Sequence, residues 1–141
     1  MAQIAARAGL AKATLYNHYR DREEVLAELL LAEVDELIDA VAHLPLPVAL
    51  AQAAIAISEH PLLEALGETD AEALSVLARV DVRGAGWARA AQATERLLAR
   101  RGRRGTPTVL RWLASFVIAP ADQDDIAADV AVLVAGLPPI R

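Results

Sequence analysis

The stretch "AKATLYNHY", residues 11–19, holds the side chains whose types and spacing could do chemistry near the start of the chain. Lys12 is long and unbranched, and at the start of a short helix it can reach a phosphate or a guanine edge. Thr14 adds a hydroxyl and a methyl on the same turn. Such groups suit recognition of nucleic acid more than the making or breaking of bonds. The charge distribution agrees. Residues 1–22 carry Arg7, Lys12, Arg20 and Arg22 against Asp21 alone, a net +3 in a chain of total charge −5, so the remainder carries −8. A basic head on an acidic body puts a phosphate-facing surface at the N-terminal end.

Other chemistries find little support. The chain has no cysteine, which removes disulfides, thiolate metal sites and a cysteine nucleophile. His18, His43 and His60 are too far apart to suggest a metal site, and no Ser, His and Asp grouping suggests a nucleophile; no catalytic residue, metal or cofactor is expected. Asp122, Asp124 and Asp125 lack the glycine and closing glutamate of a calcium loop and read as the first turn of a helix. The run "RRGRRG" reads as a solvated loop between helices, with a second phosphate-binding patch as its other reading. No signal-peptide layout or membrane-length apolar run is present, so a cytoplasmic protein is expected.

Helices must position these residues, because 55% of the chain is hydrophobic and only 4% aromatic, a composition that packs as Ala, Leu, Val and Ile. Residues 2–8 and 11–19 read as two short helices turning at Gly9. Asp21 and Glu24 form a capping box that opens a long helix. Its apolar positions, from Val25 and Leu26 to Ile38 and Val41, keep one face until Pro45 and Pro47. Further helices are expected at 48–59, at 62–66 closed by Gly67, from a Thr69/Glu72 capping box to Val82, at 87–101 after Gly84 and Gly86, at 107–119 with Thr106 as cap and Pro107 in the first turn, and at 123–137. The fold class is all-α, with a head at 1–22 and a helical body at 23–141.

The stretch "IAARAGLAKATLYNHYRDREEVL" resembles the TetR (tetracycline-repressor-like) family of transcriptional regulators, over residues 2–26. The resemblance implies an all-helical homodimer, not an enzyme, whose body holds a small-molecule effector and whose heads bind operator DNA, in most cases as a repressor. Lys12, Ala13, Thr14, Tyr16, Asn17 and His18 fall on the family's recognition-helix positions. Arg22 falls where the family places a phosphate-gripping lysine. Ala11 replaces the usual serine cap. The helix that precedes the Ile-Ala pair in the family has no counterpart, so the head is expected to be incomplete as numbered, through a start placed at an internal methionine or through a headless form. In the second case the chain would dimerise or bind ligand without itself holding DNA.

The segments "VLRWLASFVIAP" and "DIAADVAVLVAGLPP" resemble the family's two dimerising helices, which assigns Trp112, Phe116, Ile126, Val130, Leu133 and Leu137 to the dimer interface. Their large apolar faces fit that role. For the effector, Trp87 is the one residue pointing to a pocket wall, with packing in the core or at an interface as its other reading.

Overall fold

In a computed structural model, the described residues are Ala6 and 22–141. Apart from Ala6, the two short head helices, with Lys12, Ala13, Thr14, Tyr16, Asn17 and His18, and the Asp21 cap lie outside them. Among the described residues the fold is all-α, with seven helices: α1 (Arg22–Val41), α2 (Leu46–Ser58), α3 (Pro61–Thr69), α4 (Ala71–Leu77), α5 (Ala85–Ala99), α6 (Thr106–Ile118) and α7 (Gln123–Gly136).

α2 is the centre of the packing because it is apolar nearly all round and buries most of its surface, leaving Val48 and Gln52 on its exposed side. It touches α1, α6 and α7. Leu46, Ala49, Leu50, Ala53 and Ala54 are its buried residues, and the alanines let neighbouring helices approach closely. Val109, Leu113 and Phe116 of α6 and Ile126 and Val130 of α7 complete the core. Val109 and Ile126 are fully buried, each contributing about 1.5–3 kcal/mol of burial. Trp112 and Phe116 meet edge to face with ring centroids 4.9 Å apart. The Trp112 Nε1–H donates to Asp129 Oδ2 at 3.3 Å, which ties α6 to α7.

Four of the six residues assigned to the dimer pack inside the chain itself. Phe116, Ile126, Val130 and Leu137 are at most 4% exposed and belong to the core of one chain, because α6 and α7 fold onto α2. Trp112 and Leu133 are half-buried against the same core. These helices turn Arg111, Ser115, Ile118, Ala128, Val132 and Ala135 outward instead.

Several boundaries differ from those expected. Pro45 and Pro47 start α2 as well as follow α1, since a proline costs nothing in a first turn whose N–H groups lack partners. α3 runs through Gly67 to Thr69. The Thr69/Glu72 box does not form: the Thr69 hydroxyl donates back to Ala65 O at 2.6 Å, and Asp70 Oδ1 instead accepts from Ala73 N–H at 3.0 Å to cap α4. α4 stops at Leu77, short of Val82; beyond it Asp81 draws the backbone into a turn, accepting from Arg83 N–H at 3.0 Å. α5 opens at Ala85 with Gly84 as its cap residue.

The arginine loop is a structural clamp at two points. α5 ends with Gly102 at φ +62, the Arg103 N–H on Leu98 O and the Gly102 N–H on Ala99 O, a Schellman closure that requires the left-handed residue. Arg100 Nη2 then donates to Ala42 O at 2.5 Å, and Arg103 Nη1 to Leu137 O at 2.6 Å. The two side chains thus satisfy carbonyls at the ends of α1 and α7, where cations also complement the helix dipole.

Candidate functional site

A cleft of about 1030 Å³ lies between α1, α2, α5 and α6. α1 supplies Leu30, Val34, Leu37 and Ile38; α2 supplies Ala53, Ala56 and Ile57. From the other side come Trp87, Ala90 and Thr94 of α5 with Leu113 and Val117 of α6. The size sits at the upper end of small-molecule pockets, and an apolar wall with few polar groups is the usual composition of one. Its shape follows from the sequence. Alanines at 53, 56, 90 and 93 leave room where a larger residue would close the gap.

Trp87 stands in the wall, anchored by Nε1–H donation to Leu77 O at 3.1 Å. Thr94 lies two turns further along the same α5 face, and the sequence reading missed it. The signal was present: on the stripe Trp87, Ala90, Thr94, Leu97 the threonine is the one polar residue.

At one end of the cleft His60 faces Glu33. His60 Nδ1 accepts the Leu62 N–H at 3.2 Å, which places the ring proton on Nε2, and Nε2 donates to Glu33 Oε2 at 2.9 Å. This bond joins the end of α2 to α1. Asp35 of α1 is paired in the same way with Arg89 of α5. The cleft wall contributed by α1 is therefore tied to both neighbours.

Of the residues assigned to DNA, Arg22 alone falls among the described ones. It is the first residue of α1, and its Nη1 lies 2.5 Å from Asp70 Oδ2. Asp70 sits at the α3–α4 corner, and its carboxyl is held below its ordinary range by the Ala73 N–H and then by the Arg22 guanidinium. Sequence alone could not show that this arginine has an acidic partner 48 positions away.

No single described helix is long and apolar enough to cross a membrane. Comparison with curated proteins and with solved structures gives no match. The family model for bacterial regulatory proteins of the tetR family matches residues 1–29. That match spans the basic head and the first eight residues of α1, the helix that goes on to wall the cleft. Residues 1–29 are thus similar to the N-terminal segment of that family's regulators, and the described residues that follow are all-α.

Proposed function

We propose that the chain is a ligand-responsive repressor that acts as a homodimer on operator DNA, with residues 1–22 as its DNA-binding head and 23–141 as its effector and dimerisation body. The observation that carries this reading is that α1 belongs to both halves. Its first residues lie in the matched segment, and Leu30 to Val41 line the cleft. A molecule in the cleft bears directly on the helix that leads to the head. It changes DNA affinity only by preferring one placement of α1 over another.

Arg22 has two calls on its guanidinium in this scheme, the carboxylate of Asp70 and a DNA phosphate. Lys12, Thr14 and Asn17 would read bases, while Tyr16, His18 and Arg22 hold the backbone. Dimerisation would use the outward faces of α6 and α7 around Ile118 and Val132, which are 59% and 75% exposed.

The test is selection of binding sites from a random duplex library with the full chain, followed by fluorescence anisotropy on the selected site. Sequence-specific binding that Lys12→Ala weakens, that a cleft-bound molecule reverses, and that scales with a dimeric mass in light scattering is the expected result. Failure to enrich any sequence while the chain still dimerises and binds small molecules would leave a ligand-binding protein that does not itself hold DNA.

A further inference from the structure

We propose that the cleft selects an uncharged, mainly apolar molecule carrying a single hydrogen-bonding group such as an alcohol, and that Thr94 is the residue that recognises this group. The inference rests on the reading of the cleft as an effector seat and adds the chemistry of its occupant.

Among the described residues Thr94 is the one buried polar side chain, 7% exposed. Its hydroxyl makes no hydrogen bond within them, unlike Thr69 and Ser75, whose hydroxyls turn back onto their own helices. No buried side-chain oxygen or nitrogen is both sealed and unpartnered, so the Thr94 hydroxyl opens onto the cleft it lines. A hydroxyl without a protein partner that opens onto a cleft walled mainly by hydrocarbon, with His60 and Glu33 paired to each other at one end, is set to bond something that enters.

The same wall decides the charge of that group. No charged side chain is buried among the described residues. Glu33, Glu36, Arg96 and Arg100 stand at the exposed rim, two of each sign. An ionised group brought to Thr94 would lose its hydration with no counter-charge to replace it. A neutral hydroxyl loses far less and gains Thr94 as donor or acceptor. The hydrocarbon remainder of the molecule fills the space between Leu37, Ala53 and Leu113.

The experiment loads the full chain with N-phenyl-1-naphthylamine, an uncharged fluorescent probe of apolar cavities. The probe is then displaced with decan-1-ol, decanoate and decylammonium. Decan-1-ol is expected to compete at least tenfold better than either charged homologue. Thr94→Val should weaken decan-1-ol about fivefold, the range of one hydrogen bond. It should leave the charged homologues unchanged, and Thr94→Ser should restore the alcohol. Equal decan-1-ol affinity in wild type and Thr94→Val, or a charged homologue that binds more tightly than the alcohol, overturns the proposal while leaving the cleft as a binding site. Ala90→Trp, which fills the cleft from a half-buried position, separates the two readings: probe fluorescence that it does not reduce, or that is absent in wild type, removes the effector seat itself.

Discussion

Replacing Thr94 by valine should make the protein more stable, the reverse of what a change at a 93% buried side chain normally does. The two residues are close in shape, both branched at Cβ, and nearly equal in helix propensity, so α5 itself is indifferent to the exchange. What changes is a hydroxyl that bonds to no described residue, which becomes a methyl facing other hydrocarbon groups. A fully sealed, unpaired polar group would cost about 1–3 kcal/mol, but this hydroxyl opens onto the cleft and water reaches it, so the gain is at the low end, about 1 kcal/mol. At ~2.1 cal/mol/K per residue the unfolding entropy of 141 residues is ~0.3 kcal/mol/K, so Tm should rise by ~3 °C. Thr94→Ser keeps the hydroxyl and loses the methyl, so its Tm should fall by a similar amount.

Thermal and urea melts followed by circular dichroism measure both variants. The urea midpoint should rise for valine with an unchanged slope, the mark of a stability change without a change in exposed surface. A valine variant less stable than wild type by about 1 kcal/mol or more, as a buried hydroxyl with a native partner would give, refutes the reasoning. Combined with weaker alcohol binding, the expected result is the exchange of stability for function that binding sites commonly show.

Gly105 has φ +128, and a Cβ there would stand 2.7 Å from Leu137 Cδ2; Gly105→Ala should therefore cost about 1–3 kcal/mol in urea titration, and more than Gly102→Ala, whose Cβ meets open space. Asp70→Asn keeps a capping side chain on α4 while removing the charge that holds Arg22, and in anisotropy it should tighten operator binding roughly twofold to fivefold and steepen its salt dependence by about one unit. Asp70 has a depressed pKa in the folded protein, so its cap and ion pair are fully present above 3.8 and are lost only as pH falls through the lower folded value; the Ala73 amide resonance should titrate with a midpoint below 3.8, and a midpoint above it would contradict the pairing. Ile118→Glu and Val132→Glu lie on outward faces and should lower dimer mass in light scattering while leaving the melting of the chain within about 0.5 kcal/mol of wild type.

Signals confined to one or two turns were legible in the sequence. Asp122 caps α7 by accepting from Asp125 N–H at 2.9 Å, and Pro107 stands in the first turn of α6, both as expected. Signals with two physical meanings were misread. A proline ends one helix and begins the next, so Pro45 and Pro47 alone do not say where α2 starts. Thr69 and Asp70 are both capping residues, and the choice fell to Asp70, whose carboxylate also meets Arg22 across the fold. An apolar stripe such as Ile126, Val130 and Leu137 demands a partner surface without saying whether it comes from the same chain; here α2 provides it. The site was hidden for a related reason. Thr94 of α5, Glu33 of α1 and His60 at the α2–α3 corner come from three separate parts of the chain, and only packing makes them walls of one cleft.

The ties along α1 set what an occupant of the cleft could do to it. The carbonyl of Ala42, just past its C-terminal end, is held by Arg100, and Glu33 and Asp35 hold its middle against the α2–α3 corner and α5. Its N-terminal end has the Arg22–Asp70 contact, more than 40% exposed on the arginine side. A rod fixed at one end moves most at the other. α1 has 20 residues and so a length of ~30 Å, and a tilt of ~5° about Ala42 would carry Arg22 through ~2.6 Å. That is enough to separate the guanidinium from Asp70. In the proposed scheme, filling the cleft between Val34 and Trp87 applies such a tilt, and the matched N-terminal segment moves with Arg22. The expected consequence is that probe binding and the Arg22–Asp70 contact are coupled. Asp70→Asn should then change the affinity for N-phenyl-1-naphthylamine, although residue 70 does not line the cleft. An identical probe affinity in the variant would show that α1 accommodates its ligand without moving at the end that leads to DNA.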